Sequence, residues 1–278
     1  MNTKRSAYPY IVWMLIFIVV PLFLVLYFAF TSGDSQTFTD FTFSLDNFKR
    51  FLTPTYLKVL GRSINLALIS TLLSLIIGYP LAYIISKEKP KTRNTLVLAL
   101  VIPMWMNFLL RTYAWLTLLG RNGFINNILA KLGLPGLNLM YNNKAILLGM
   151  VYNFLPFMVL PIYSVLIKIE KNLVEAAEDL GADKLTVFKK VIFPLSLPGV
   201  ITGITMVFIP AVSTFVISDL LGGNKYNLIG NIIEQQFRWT GDWHFGSAMS
   251  VILMILILVT MALTSKFDKE KEGGGGLW

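Results

Sequence analysis

Apolar residues gather along this chain in six runs, near 8–30, 63–85, 95–119, 145–167, 199–221 and 246–265, separated by stretches where polar and charged residues return. A helix of about 20 such residues reaches across the hydrocarbon core of a bilayer. The pattern therefore predicts an all-α integral membrane protein with six transmembrane helices. One link differs from the others: residues 168–198, between the fourth and fifth runs, form a charged island with helical character.

From Glu175 to Gly199 that island reads EAAEDLGADKLTVFKKVIFPLSLPG. Asn172 can cap a helix that carries Glu175 in its first turn, near the positive end of the dipole, and runs to Leu180. Gly181 supplies a stop. A second short helix, with Leu185, Phe188, Val191 and Ile192 among Lys184, Lys189 and Lys190, is expected from Asp183 to Pro194, where the ring should break it. Leu173, Ala176, Ala177 and Leu180 share one helical face, and the two alanines allow close approach. Such a hairpin suits a groove on a partner protein. The alternative is an amphipathic loop lying on the bilayer.

Basic residues orient the spans. Lys4 and Arg5 precede the first, Lys87, Lys89, Lys91 and Arg93 crowd the link after the second, and Lys266, Lys269 and Lys271 follow the sixth. With the basic hairpin these segments are expected to be cytoplasmic, as are both termini. The opposite loops, 31–62, 120–144 and 222–245, hold fewer basic residues, and a short helix is expected from Gly123 to Leu132. The first run is too long for a signal-peptide core and lacks a small-residue cleavage site, so it reads as a retained span. The chain is 55% hydrophobic and 14% charged, which belongs to a polytopic membrane protein, so its net charge of +9 reflects topology and calls for no nucleic-acid partner. Cysteine is absent, which excludes disulfides and thiolate chemistry, and a lone His244 cannot build a zinc site.

Proline or glycine interrupts most spans: Pro21, Gly78 with Pro80, Pro103, Pro156 with Pro161, and Gly203 with Pro210. Such breaks survive in a membrane where neighbouring helices or a wet cavity satisfy the freed backbone, so a packed bundle with a path is expected. Charges at membrane depth point to function. Arg111 lies in the third span and Asp219 at the end of the fifth, where it could face a cavity and attract a cation, cap the helix end, or pair with Arg111. Trp105, Asn107, Tyr113, Trp115, Tyr152, Asn153, Ser213, Thr214 and Phe215 offer π faces and hydrogen bonds around them, although membrane aromatics also serve as belt and packing residues. No phosphate-binding Gly-x4-Gly-Lys-Ser/Thr loop and no catalytic or metal-ligand cluster is present, so neither ATP hydrolysis by this chain nor a cofactor is expected.

The island also resembles the EAA loop of ABC importer permeases, whose pattern is Glu-Ala-Ala, three residues, Gly, nine residues, then Ile-x-Leu-Pro. Glu175, Ala176, Ala177, Gly181 and Pro194 match, with Val191 for the isoleucine and Phe193 for the leucine. Beyond the loop, the segments at 43–52, 56–83, 107–115, 151–164 and 210–223 resemble the PotB-type permeases of spermidine/putrescine ABC importers. The resemblance implies a type I ABC importer permease fold in the cell membrane. It implies a PotC-like second permease, two copies of a PotA-like ATPase and a PotD-like polyamine-binding protein. In that frame 1–60 is an N-terminal transmembrane helix with the first external loop, 61–266 is the permease core containing the loop at 172–199, and 267–278 is a flexible cytoplasmic tail. Glu175, Ala176, Ala177, Leu180, Gly181 and Pro194 would couple to the ATPase. Asp219 with Trp105, Asn107, Tyr113, Trp115, Tyr152, Asn153, Thr214 and Phe215 would line the polyamine path. A permease for another small solute, a secondary cation transporter, or a membrane scaffold without a transported substrate are the alternatives.

Overall fold

A computed structural model of the protein describes residues 8–33, 42–223 and 225–272, without the side chains of 265–272. Lys4, Arg5 and the terminal GGGGLW lie outside the described residues, as do the side chains of Lys266, Lys269 and Lys271. The chain is helical almost throughout. In order it forms α1 (Tyr8–Ala29), a short hairpin of β1 (Thr31–Ser32) and β2 (Thr42–Phe43), α2 (Asp46–Phe51), α3 (Pro54–Lys87), α4 (Pro90–Trp105), α5 (Phe108–Leu119) and α6 (Phe124–Lys131). It continues through α7 (Asn143–Leu166), α8 (Lys171–Asp179), α9 (Lys184–Ser213), α10 (Val216–Gly222), α11 (Ile229–Gln235) and α12 (Trp243–Glu272). Among the described residues, α1, α3, α7, α9 and the Trp243–Thr264 part of α12 are each long and apolar enough to cross a bilayer.

Helices α3, α7 and α9 form the centre, where small residues let backbones approach. Gly199 and Gly203 stand four residues apart on α9 and face α7. A Cβ on Gly199 would lie 2.8 Å from the Pro161 carbonyl oxygen, and one on Gly203 would lie 2.8 Å from Met158 Sδ. From the other side a Cβ on Gly78 of α3 would meet Met158 Cγ at 3.0 Å. Met158 is fully buried between these glycines. Gly78 and Gly203 therefore serve close packing, the small-residue mode of helix association in lipid, rather than opening a path. Outside this trio α1 packs along α12, around Ala29, Ala248 and Val251. Nearby, His244 Nδ1 lies 3.1 Å from the Phe28 carbonyl oxygen and 3.3 Å from Thr31 Oγ1.

Three features depart from expectation. The single third span over 95–119 is broken: Pro90–Trp105 and Phe108–Lys131 meet at a bend of 93°. Met106 and Asn107 are extended there, and the Asn107 side chain accepts from Leu109 N at 2.8 Å, starting α5 afresh. The fifth span ends at Ser213 instead of 221, because Thr214 is extended and α10 begins as a separate helix. The α11 backbone crosses at this break, where a Cβ on Gly230 would run into the Ser213 carbonyl oxygen. Pro194, finally, does not end a helix.

The reason for that last correction is a π turn. Proline removes a donor and its ring clashes with the carbonyl four residues back, here that of Lys190. Phe188–Ile192 is a π turn, whose wider winding takes that carbonyl off the ring, so α9 runs through Pro194 unbroken. The same device recurs in α1, where the π turn Leu15–Val19 precedes Pro21. Elsewhere the expected helix from Gly123 to Leu132 is present as α6, with those residues as its caps. The backbone of α12 continues over 267–272, into the stretch expected as tail.

The glycine contacts carry a prediction. Gly199→Ala should destabilise the protein by about 1–3 kcal/mol, since the added methyl meets backbone that cannot yield. Gly61→Ala, with nothing within 4 Å of the new atom, should stabilise α3 by about 0.5–1 kcal/mol. Thermal unfolding in detergent reads both, and coincident midpoints for the two variants would contradict this packing.

Candidate functional site

Helix α8 begins two residues earlier than expected. Glu170 is its N-cap and makes no side-chain capping bond, so Asn172 lies within the first turn. Its end is well built: Gly181 has φ +85°, a left-handed conformation that costs glycine nothing, and Gly181 N and Ala182 N donate to the carbonyls of Glu178 and Ala177 at 2.9 and 3.1 Å. Asp183 then caps α9, accepting from Thr186 N at 3.3 Å, and this bonding holds its carboxyl below the usual value.

The shared apolar face expected of α8 is split by packing. Ala177 turns with Val174 and Ala182 toward the core, while Leu173, Glu175 and Ala176 remain exposed. Leu180, at the tip, is 89% exposed, and Leu185 across the turn is exposed as well. The hairpin thus presents an apolar knob. At its base Phe188 meets the rings of Tyr79 and Tyr83 edge-on at 5.9 and 5.6 Å, and Tyr79 Oη lies 2.8 Å from Ser196 Oγ. Pro194 belongs to this anchored base rather than to the knob. Between α8 and the α3–α4 link is a cleft of about 560 Å³ lined by Lys87, Glu88, Lys89, Arg93, Lys171 and Glu175, so the link and the hairpin share one end of the bundle.

The residues expected along a path fall into separate places. Trp115 and Tyr152 meet edge-on at 5.3 Å and line a groove of about 420 Å³ with Leu73 and Ile77. Asn153 is buried on α7; its Nδ2 donates to the Gly149 carbonyl at 2.9 Å, and its Oδ1 has no partner among the described residues. Trp105 and Asn107 flank the 93° bend, where Trp105 is 78% exposed, and Tyr113 is half-exposed on α5. Arg111 is buried with its guanidinium 5.9 Å from the Phe108 ring, and no ion pair joins it to Asp219 among the described residues.

Asp219 instead has a partner from α11. Asn231, fully buried, donates from Nδ2 to Asp219 Oδ1 at 2.5 Å and to the Phe215 carbonyl at 3.0 Å. Its Oδ1 accepts from Ser218 Oγ at 2.5 Å and Leu228 N at 2.8 Å. One helical turn further along α11, Glu234 is near enough for its charge to act on Asp219, and its carboxylate pairs with Arg238 at 2.6 Å. Ser213, Phe215, Glu234, Phe237 and Arg238 line an adjoining cleft of about 560 Å³ whose floor is apolar. Thr214 is buried at the break itself. Asn231 and Glu234 escaped the sequence reading because 222–245 was taken as outer loop; their three-residue spacing on one face, beside Ile232 and Ile233, is the signal that marks them. No group of three or more metal-ligating side chains occurs among the described residues.

Bilayer-length helices around a glycine-packed centre, with a knob at one end and a carboxylate network at a helix break, define a multi-pass membrane permease component. Residues 4–272 match the family described as "Binding-protein-dependent transport system inner membrane component", and the chain belongs to that family. It is 42% identical over 266 residues to the spermidine/putrescine transport system permease protein PotB of Escherichia coli (strain K12), covering 94% of this chain and 97% of that one. Its identity to the protein of the same name from Haemophilus influenzae is 37%, covering 92% and 91%. Among solved structures, a bacterial alginate ABC transporter in complex with an alginate pentasaccharide-bound periplasmic protein superposes with a TM-score of 0.80 at 16% identity, covering 96% of this chain and 93% of that one. The fold is that of type I ABC importer permeases, as the sequence led one to expect.

The Asn231 network is testable through stability. Asn231→Leu strands the Leu228 N–H, removes a donor from the Asp219 carboxylate and leaves the Ser218 hydroxyl only its bond to the Phe215 carbonyl, and should cost on the order of 3 kcal/mol. A thermal midpoint equal to that of the unaltered protein would show these bonds to be dispensable.

Proposed function

We propose that this chain is a permease subunit of an ATP-driven polyamine importer. It forms part of the path for spermidine or putrescine and couples through residues 172–199 to a separate ATPase. The observation that carries the reading is the exposed knob of the hairpin, with Leu180 89% exposed on a tip set by Gly181, in a chain 42% identical to a spermidine/putrescine permease. A leucine so exposed on a built helix end calls for a covering surface. A PotA-like ATPase supplies it, two copies serving this chain and a PotC-like permease, and a PotD-like protein delivers substrate on the opposite side.

Orientation follows from charge. Lys87, Lys89 and Arg93 share a cleft with Lys171 at the hairpin end, and that basic end is cytoplasmic, with both termini on the same side of the cell membrane. The ATPase dimer, on closing, pulls the knob, and the aromatic base at Tyr79, Tyr83 and Phe188 carries the displacement into α3 and α9. At the other end the Asp219 carboxylate, with Glu234 beside it, compensates a polycation leaving water. Phe215 adds a π face there, and Trp115 with Tyr152 offers a second in a separate groove.

ATP-dependent uptake of labelled spermidine and putrescine into vesicles, with this chain, its partner permease, ATPase and binding protein each omitted in turn, tests the whole reading. Uptake should require ATP and every component; uptake by this chain alone on an ion gradient overturns it. Glu175→Lys and Leu180→Asp should each uncouple transport from ATP hydrolysis while the permease still inserts, and retained coupling in both would remove the knob from the mechanism. Asp219→Asn should lower uptake about ten- to a hundredfold, as for the loss of a charge-assisted bond of roughly 1.5–3 kcal/mol, and normal uptake by the assembled variant would exclude a role for the charge.

A further inference from the structure

Glu234 and Arg238 stand one turn apart where α11 widens into the π turn Gln236–Thr240, and their ion pair of 2.6 Å is unequal. The Glu234 side chain is only 16% exposed, whereas that of Arg238 is 66% exposed. The carboxylate is therefore fixed on a packed helix beside the Asn231 network, and the guanidinium reaches it from a solvated stem. Its second contact is the face of Trp239 at 5.8 Å, a ring that is itself exposed. A largely buried carboxylate loses solvation that only a cation restores, so Glu234 needs a partner at all times. The arginine end of the pair is solvated and stands only one turn away on the same helix, so it is the arginine that can be exchanged.

The surrounding cleft indicates what it exchanges with. Phe215 and Phe237 line it beside Glu234, and Leu253, Met254 and Ile257 of α12 supply an apolar wall. A carboxylate at the edge of a trough of rings and methyl groups fits a linear amine whose charges are separated by methylene groups. Arg238 lines the same cleft, so its guanidinium occupies the approach that an ammonium would take to Glu234. We infer that Arg238 is an internal stand-in for the substrate's ammonium, holding Glu234 while the path is empty and yielding it to a passing diamine or longer polyamine. This rests on the polyamine reading above. A diamine brings two charges into the field that Glu234 shares with Asp219, and so displaces the arginine. A monoamine has one charge to offer and does not, which makes Arg238 a determinant of specificity.

The test is uptake of labelled putrescine by the complete reconstituted importer, with n-butylamine as competitor. Arg238→Gln should lower the KM for putrescine about two- to fivefold, the range for removing an exposed ion pair, with little change in kcat, and should make n-butylamine an inhibitor. Arg238→Lys, which keeps the charge, should retain the KM of the unaltered protein. In a Glu234→Gln background the further change Arg238→Gln should have no effect. An unchanged or raised KM for Arg238→Gln, or the same fall when Glu234 is already neutral, overturns the inference. So does failure of both Arg238→Gln and Arg238→Ala to assemble, which would make the arginine structural. If the unaltered complex takes up no polyamine, the functional reading fails instead, and the two failures are thereby told apart.

Discussion

The close approach of three helices at Met158 is the constraint on which the rest depends. In lipid there is little hydrophobic drive to bring helices together, because the tails are as apolar as the side chains. Association therefore rests on contact area, and contact area requires that something small stand opposite something large. Here Gly78 on α3 and Gly203 on α9 receive Met158 from two sides, while Gly199 brings α9 onto the α7 backbone at Pro161. The hairpin adjoins the Lys184 end of α9, and the carboxylate network follows its other end at Ser213. A rigid centre makes the two ends mechanically continuous.

Proline stands in several settings along these helices, and Pro80, Pro156, Pro161 and Pro198 lie inside continuous α-helix. At Pro21 and Pro194 a π turn precedes the proline and the helix continues through it. Four residues after Pro103 and Pro210 the helical path is interrupted instead, at Asn107 and Thr214. These interruptions expose backbone groups and turn side chains, and Asp219 lies just beyond the second of them. The second break therefore stands beside the polar network of Asp219 and Asn231.

Much of this was legible in the sequence, because hydropathy and glycine placement are local. The apolar runs, the stop at Gly181 and the helix between Gly123 and Leu132 depend on neighbours a few positions away. The rest depends on distant ones. Hydropathy is blind to direction, so a span over 95–119 and two helices meeting at 93° look alike. Pro194 reads as a stop until the winding ahead of it is seen. Asp219 could be picked out as costly, but its partner Asn231 lies twelve residues on, in a stretch whose polar residues read as loop. The face of α8 was right in its periodicity and altered by packing, which drew Ala177 inward and left Ala176 and Leu180 outside.

The π turn at Phe188–Ile192 also fixes an angle. A π turn holds one residue more than an α turn, and each residue of an α-helix advances the direction of its side chain by about 100°. The knob at Leu180 and the glycine seam at Gly199 and Gly203 lie on opposite sides of that extra residue. Leu180 reaches α9 only through the turn at Gly181–Asp183, but Leu185 shares that helix with the seam, and its azimuth relative to the seam is shifted by a single inserted position, like the indexing of a key on a shaft. A chain with that residue removed could keep every side chain of both surfaces and still present them out of phase.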